Sequence, residues 1–431
     1  MSKIKKDIKS LLKSSIVVKP LEVIKGLLII KFLTPEMYGL LNIINQISSF
    51  AKYGDLGFTS IVVREYNYEA LNDKSKAEYI KNVAYSSEFI LAIFLSVFVF
   101  LISFLYIENQ IIFIGVISAS LMLFISKLSR IYNSYLKITK QFNRFARFNL
   151  LSGLMTSLGV IALISYIGIY APLIVSVISG AIVISIMYKK IDLNLTFLLE
   201  RKEVTRQVKV GIALGGLTFF HGVGIYLERF LIVDRFGLQE VGFFSFGMFV
   251  VAFVQFFIND IVSPYIPRVR EMMASGDYSA IKDYVLIPSV KMFLISVPVI
   301  LLLQPIITLL VQVFFLQYIE ALQILKVIIW LLIPISMSAF SGYLLVSKGL
   351  DKIKEAYVSS LLYFVSLITL SYILLNYYNY FIFLIYAIVF STLIQVSYKQ
   401  YVIFSFFFNK LYVVLGVISM NLVTIAGVFY A

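Results

Sequence analysis

The 431-residue sequence has no cysteine, one histidine and one tryptophan, and its 23 acidic residues are outnumbered by 37 lysines and arginines. Without cysteine the chain forms no disulfides and no thiolate metal sites. A single histidine, with no cluster of carboxylates at ligand spacing, leaves no set of side chains suited to holding an ion. We therefore predict neither a metal site nor a cofactor.

What the sequence has in abundance is apolar surface: 60% of residues are hydrophobic, 16% are aromatic and only 14% are charged. The mean hydropathy of +0.94 is too high for a chain that folds around a water-soluble core. Stretches long enough to cross a bilayer as helices recur along the whole length, which predicts an all-α polytopic membrane protein. The predicted spans are 14–33, 38–63, 82–106, 111–133, 149–169, 171–188, 207–233, 240–265, 285–310, 323–346, 357–375 and 380–398, with a weaker thirteenth segment at 411–430.

Basic residues are distributed asymmetrically between the loops. One side collects nearly all lysines and arginines outside the spans, and the other has only Arg235. Because basic loops stay in the cytoplasm, the N-terminus is expected to be cytoplasmic. No small-residue cleavage site follows the first apolar stretch, so this helix is expected to remain in place. The net charge of +14 fits loops beside an anionic inner leaflet and requires no nucleic acid partner.

Two pairs of segments suggest an internal repeat. IKGLLIIKFLTPEMYGLL from Ile24 can be laid over LERFLIVDRFGLQEVGFF from Leu227, and the basic stretches around Ala146 and Ala356 form a second pair. Each separation corresponds to six spans, so the copies have the same orientation. We therefore expect a six-helix lobe at 1–205, a second at 206–401 and an extra hydrophobic segment at 402–431.

Four segments resemble a known family, the Wzx-type polysaccharide and O-antigen flippases of the multidrug/oligosaccharidyl-lipid/polysaccharide (MOP) exporter superfamily. They are FLTPEMYGLLN, YGDLGFTSIVVREY, ERFLIVDRFGLQEVGFFSFGM and SPYIPRVREMMASGDY, and their order and spacing match along nearly the full chain. The resemblance implies two six-helix lobes around a central cavity. It also implies movement of undecaprenyl-diphosphate-linked glycans to the outer leaflet of the bacterial inner membrane, with glycan polymerase or assembly proteins as partners.

Charged residues inside the first span are the strongest local signal. Each lysine or glutamate at a helix centre costs about 2.5 to 3.5 kcal/mol on insertion scales, whereas each leucine or isoleucine returns about 0.3 to 0.6 kcal/mol. Lys31 is near the exported end and can reach the interface. Lys19, Glu22 and Lys25 cover about 120° of one helix face beside Pro20, and this face is expected to point at water or protein.

Charges in the other spans complete the predicted site, because a cavity with surplus basic side chains lowers the cost of moving a lipid diphosphate. The predicted substrate-binding residues are Lys19, Lys25, Arg229 and Lys291. The predicted coupling or ion-pair residues, with H⁺ and Na⁺ both open as the coupling ion, are Glu22, Lys52, Asp55, His221 and Asp260, and the predicted gate residues are Arg64, Arg268 and Arg270. Glu88, Glu228 and Lys326 are further charged residues that could pair with the first helix, and static ion pairs are the alternative for several of these groups.

Three other classes of protein compete with a flippase. A cation-coupled multidrug antiporter of the same superfamily would share the fold but favours acidic cavity residues. A membrane glycan polymerase or glycosyltransferase needs room for chemistry outside, and every exported loop here is short. A structural or receptor protein would not need duplicated bundles with buried charges. The sequence thus predicts a non-enzymatic flippase that works by alternating access.

Overall fold

A computed structural model describes the backbone of residues 2–53, 56–262, 265, 269, 272, 281–340, 344–345 and 352–430. Side chains are described for the same residues except 2–16, 50–53, 67, 68, 72, 213–221, 260 and 353. Within these ranges all regular structure is helical. The chain divides into two compact units, Met1–Gly222 and Val223–Ala431.

The first unit contains seven complete helices and the start of an eighth. They are α1 (Ser2–Phe32), α2 (Pro35–Tyr53), α3 (Phe58–Asn72), α4 (Lys74–Ser103), α5 (Gln110–Ile138), α6 (Phe142–Ile167) and α7 (Tyr170–Lys190), followed by α8 (Arg201–Phe236), which contains the boundary between the units. Helix α1 packs along α6, α4 packs on α5, and α5 also contacts α2 and α7. Side-chain caps fix two helix starts, because Asp73 and Asn109 each accept a hydrogen bond from a backbone N–H in the following turn.

The predicted second span, 38–63, is divided in the structure. Helix α2 ends at Tyr53, and the separate helix α3 begins at Phe58. Gly57 between them has φ +81°, a left-handed conformation that glycine adopts without steric cost. A Cβ on Gly57 would lie 2.3 Å from the Cα of Gly211 in α8, so the turn also needs glycine for close backbone contact. The apolar sequence that continues past the turn belongs to a different helix.

In the part that the structure describes, the second unit is built from the remainder of α8 and seven further helices. They are α9 (Leu238–Val262), α10 (Ile287–Phe314), α11 (Ala321–Ile328), α12 (Leu332–Ser338), α13 (Ile353–Tyr378), α14 (Phe381–Phe407) and α15 (Lys410–Tyr430). A π-helical turn, Lys282–Leu286, precedes α10, and a short 3-10 segment, Ile329–Leu331, joins α11 to α12. Helices α13 and α14 form a hairpin, while α9 packs on α11 and α10 on α12.

The weak thirteenth segment of the sequence is α15, an integral helix of the second unit. It packs against α14 and α11. Gly427 lies directly on the indole of Trp330, where a Cβ would approach the ring to 2.3 Å. Ser397 and Asn421 hydrogen bond across the α14–α15 interface at 2.9 and 3.0 Å. Tight packing and a polar contact therefore hold α15 in place.

Ten of the described helices are long and apolar enough to cross a membrane. Large apolar side chains cover their outer faces, as Phe94, Phe98 and Leu101 do on α4, where they line a wholly apolar surface groove. Helices α1 and α2 are not among the ten because charged and polar residues interrupt their apolar sequence. The chain is a multi-pass membrane protein, and its predicted all-helical polytopic fold is confirmed.

Candidate functional site

A polar cleft of about 330 Å³ opens between α1 and α6 in the first unit. Glu22 and Lys25 line it from α1, and the facing wall is built from α6. The α6 residues on this wall are Asn149, Ser152, Gly153, Thr156 and Ser157. The sequence argument that the charged face of α1 points at water or protein is consistent with this arrangement.

Gly153 sets the distance between the two helices. A Cβ at this position would lie 2.3 Å from a methyl carbon of Val18 on α1, far inside van der Waals contact. The two backbones therefore approach closely at one level of the helices, as small residues allow in membrane proteins. This contact holds the charged residues of α1 against the hydroxyl-bearing wall of α6.

Lys25 is the cation of the cleft. Glu22 attracts it from one turn away on α1, but no ion pair or hydrogen bond joins the ammonium to any described side chain. On the opposite wall Ser157 is fully buried, and its hydroxyl has no hydrogen-bond partner among the described residues. Thr156 hydrogen bonds Ser179 of α7 at 2.8 Å. The cleft thus contains the Lys25 ammonium and the Ser157 hydroxyl, neither of which has a hydrogen-bond partner among the described residues.

The other predicted substrate residues have different surroundings. Lys19 is half-buried and does not line the cleft. Arg229 on α8 lies 5.7 Å from the centre of the Phe244 ring, a cation–π contact. Its neighbour Glu228 is buried and accepts a hydrogen bond from the Tyr363 hydroxyl of α13. Lys291 on α10 is exposed.

Arg64, a predicted gate residue, is exposed on α3. Six other predicted site residues lie outside the described part of the structure or have side chains outside it: Lys52, Asp55, His221, Asp260, Arg268 and Arg270. Their roles stay predictions. Among the described residues, no group of three or more histidine or acidic side chains could hold a metal ion.

Glu88 does not line the cleft beside α1. Its carboxylate on α4 lies 3.0 Å from the ammonium of Lys127 on α5, and both side chains are completely buried. Lys127 lies inside the predicted span 111–133, but no carboxylate near it in the sequence marks it as half of an ion pair. The pair holds α4 and α5 together at a level where neither charge meets water.

Lys399 lies just outside the predicted span 380–398, but in the structure it is part of α14. It is half-buried, and no ion pair or hydrogen bond joins it to a described side chain. One turn earlier on the same helix face, Gln395 is 5% exposed, and its side-chain NH₂ has no acceptor. Two donors without acceptors thus stand next to each other on one helix of the second unit.

The segment 191–200, which joins α7 to α8, is hydrogen-bonded to α4. Leu198 donates its backbone N–H to Ser86 at 3.0 Å, and the buried Lys81 donates to the carbonyl of Asn194 at 3.3 Å. In the polar first turns of α8, Arg206 forms ion pairs with Glu65 of α3 at 2.9 Å and with Glu203 at 2.7 Å. These contacts join distant parts of the chain, which sequence spacing does not reveal.

Glu203 titrates below its ordinary range in this network. Partial burial raises the pKa of this carboxyl, but hydrogen bonds from Arg206 and Gln207, together with the charge of Arg206, outweigh burial and lower it. The same two carboxylates, Glu203 and Glu65, raise the pKa of Arg206. Both groups therefore remain charged at neutral pH.

A family model described as polysaccharide biosynthesis protein matches residues 28–323, well over half of the chain. The chain belongs to this polysaccharide biosynthesis protein family. No curated protein sequence matches it significantly. The resemblance found in the sequence is confirmed at the level of this polysaccharide biosynthesis family.

Solved structures with the same fold match nearly the whole chain. The lipid II flippase MurJ in an inward closed conformation matches with a TM-score of 0.70 at 14% identity, over 96% of this chain and 91% of that one. An inward-facing multidrug resistance MATE transporter of the MOP superfamily matches at 0.68 and 13% identity, over 94% and 96%. A MOP superfamily transporter from Pyrococcus furiosus matches at 0.57 and 10% identity, over 97% and 96%. The chain thus combines a polysaccharide biosynthesis family with the fold of these solved proteins.

Proposed function

We propose that this family member is a flippase that moves an undecaprenyl-diphosphate-linked oligosaccharide, such as an O-antigen unit, from the cytoplasmic to the outer leaflet by alternating access. The family assignment supports a role in polysaccharide biosynthesis. The fold match to a lipid II flippase supports transport of a lipid-linked sugar. The observation that carries the proposal is the unpaired Lys25 in the polar cleft between α1 and α6.

A lone lysine at this depth is costly unless something offsets its charge, because each one opposes helix insertion by about 2.5 to 3.5 kcal/mol. Glu22 offsets it only from a distance, since no ion pair forms between them. A diphosphate would supply several oxygen acceptors for the ammonium and for the donors on α6. Binding of the diphosphate headgroup then offsets the free-energy cost of placing the ammonium inside the membrane, which favours the substrate-bound state.

The proposal also includes substrate-binding donors in the second unit. The sequence-based proposal assigns this role to Arg229 and Lys291, together with Lys19 in the first lobe. The surroundings of Lys399 support it as an additional candidate, because its ammonium and the Gln395 amide are donors without acceptors. Donors at such positions favour an anionic ligand over a cationic one.

A cation-coupled multidrug antiporter is the second candidate, since MATE transporters share the fold. Glu22 in the cleft favours this alternative, because an acidic side chain can bind a cation or a proton. The two candidate functions differ in whether a basic or an acidic residue of the cleft is essential. A flippase for a diphosphate depends on Lys25, whereas an antiporter for cationic drugs depends on Glu22 and gains from removal of the lysine.

The proposed orientation follows from the positive-inside rule. It places the N-terminus in the cytoplasm and the protein in the bacterial inner membrane, with two lobes at 1–205 and 206–401 and the additional helix at 402–431. The coupling ion, H⁺ or Na⁺, and glycan polymerase or assembly partners belong to the same proposal. Arg64, Arg268 and Arg270 are its gate residues, and Lys52, Asp55, His221 and Asp260 are its coupling or ion-pair residues.

The test uses cells that lack the chromosomal gene and produce variants of the protein at matched levels. Lys25→Ala should reduce surface polysaccharide at least tenfold, Lys25→Arg should retain part of it, and Lys31→Ala, at the end of the same helix, should leave it unchanged. Normal export by Lys25→Ala would contradict the proposal. Loss of drug resistance in Glu22→Gln, with unchanged polysaccharide, would favour the antiporter instead.

A further inference from the structure

A second cleft, also of about 330 Å³, lies within the second unit at the ends of four helices. Glu240 in the first turn of α9 and Glu320 just before α11 contribute carboxylates, and Gln323 adds an amide. Aromatic rings come from Tyr380, just before α14, and from Phe381 and Phe383 in its first turn. The positive-inside pattern places all of these helix ends on the exported side, away from the basic loops.

The polar groups of this cleft are mainly acceptors. Neither Glu240 nor Glu320 forms an ion pair with any described basic residue, and the nearby Arg235 lies 3.7 Å from Asp234 instead. Glu320 accepts only a long hydrogen bond of 3.5 Å from Gln239. Both carboxylates stand at helix N-termini, where the positive end of the helix dipole stabilises an ionised acid without a counter-cation.

The helix dipoles explain why two acids can occupy these positions, but they do not explain why aromatic rings share the cleft. Tyr378 stacks on Phe383 with ring centres 4.3 Å apart, and Phe236 contacts Phe381 at 5.3 Å. These contacts anchor the rings of Phe381 and Phe383. Tyr380 is 68% exposed, so its ring is open to a ligand in the cleft.

A saccharide fits both walls of the cleft. Its hydroxyl groups are donors for carboxylate and amide oxygens, and its C–H faces pack on exposed aromatic rings. A cation is less well matched, because the two helix dipoles weaken the negative potential of the acids, and two carboxylates supply too few oxygen ligands for Ca²⁺. A cleft with one polar wall and one aromatic wall favours an uncharged ligand such as a sugar ring, which has polar hydroxyl groups and apolar faces.

We propose that this cleft, defined by Glu240, Glu320, Gln323 and Tyr380, binds a sugar residue of the exported glycan. This inference rests on the proposed function. It gives the transported glycan a second binding site, separate from the site around Lys25. The sugar docks after it reaches the exported side. The cleft therefore recognises the glycan, whereas the Lys25 cleft recognises the diphosphate.

The experiment measures binding of the free oligosaccharide released by mild acid from the lipid-linked glycan fraction of the producing cells. Saturation-transfer NMR with the full-length protein in nanodiscs reports the binding. Tyr380→Ala and Glu320→Gln should each weaken it about tenfold, the loss expected for one ring contact or one charge-assisted hydrogen bond. The matched controls Tyr412→Ala and Glu108→Gln, both exposed elsewhere, should bind as the unmodified protein does.

Three outcomes separate this inference from the proposed function. Oligosaccharide binding that is lost in Tyr380→Ala but retained in Lys25→Ala supports a separate sugar site. No binding by a protein that still moves the diphosphate-linked lipid would overturn the sugar site and leave the proposed function intact. Binding of Ca²⁺ or of a simple amine that depends on Glu240 and Glu320, without oligosaccharide binding, would also overturn it.

Discussion

The ammonium of Lys127 lies 3.0 Å from a carboxylate oxygen of Glu88, and both side chains are completely excluded from solvent. A buried ion pair gains little over apolar packing, but loss of one partner leaves a charge without compensation. The interface between α4 and α5 should therefore be sensitive to single substitutions and tolerant of a double one.

Replacement of Glu88 by glutamine should destabilise the protein by about 3 to 5 kcal/mol, because Lys127 would remain buried without a carboxylate. The double variant Glu88→Leu with Lys127→Met should recover most of the loss. Thermal unfolding of purified protein in detergent measures both. Lys76→Met, which breaks the exposed pair with Glu69, is the control and should change little. A double variant as unstable as the single one would show that the pair is not the source of the effect.

Gly153→Ala should open the contact between α1 and α6, because the new methyl group would meet Val18 at 2.3 Å. Overpacking of this kind costs about 1 to 3 kcal/mol. Gly416→Ala is the matched control, since nothing lies within 4 Å of the added carbon there. The melting temperature should fall only for Gly153→Ala, and a second change, Val18→Ala, should partly restore it. Equal effects at the two glycines would contradict close packing at Gly153.

Acid should weaken the charged network in the first turns of α8, where Glu203 pairs with Arg206. The folded state holds the pKa of Glu203 below its ordinary value of 4.5, so this carboxylate stabilises the fold above that pH. Its contribution is lost as the pH falls through the lowered pKa, because the folded state must then take up a proton. Between pH 6 and 3 the melting temperature of Glu203→Gln should therefore fall less than that of the unmodified protein. Glu108→Gln should follow the unmodified curve, and identical curves for all three would refute the role of Glu203.

Lys399 and Lys291 are alternative candidates for the substrate contact in the second lobe. Lys399 is half-buried beside the unpaired Gln395 amide, whereas Lys291 is exposed. Lys399→Ala should reduce surface polysaccharide about tenfold, the loss expected for one charge-assisted hydrogen bond. Lys291→Ala in the same assay is the comparison. A greater loss for Lys291→Ala would return the second-lobe contact to the residue that the sequence indicated.

The sequence predicted the helical membrane fold because a helix needs a long apolar segment to cross the bilayer. Each such segment is visible in the local sequence without knowledge of its neighbours. It also singled out Lys25, because a charge inside an apolar stretch is conspicuous without any knowledge of neighbours. The break at Gly57 was missed because apolar residues continue on both sides of the turn, although the glycines and aspartate of residues 54–57 are typical of a turn.

Contacts between distant residues could not be predicted in the same way. Glu88 and Lys127 pair across two helices, and Arg206 reaches Glu65 from far along the chain. Lys127 and Lys399 lie well inside their helices, and only the packing shows that Lys127 is buried and Lys399 half-buried. The residues of α6 opposite Lys25 are small and polar, and nothing in their spacing distinguishes a cleft wall from an ordinary helix contact.

Transfer of lipid across reconstituted vesicles tests the central claim most directly. Purified protein in proteoliposomes is supplied with undecaprenyl-diphosphate-linked oligosaccharide and, separately, with the same oligosaccharide on an undecaprenyl chain without phosphate. The account predicts rapid transfer of the diphosphate form alone, at least tenfold slower transfer by Lys25→Ala, and partial recovery by Lys25→Arg. Equal transfer of both lipids, or an unchanged rate in Lys25→Ala, would contradict it.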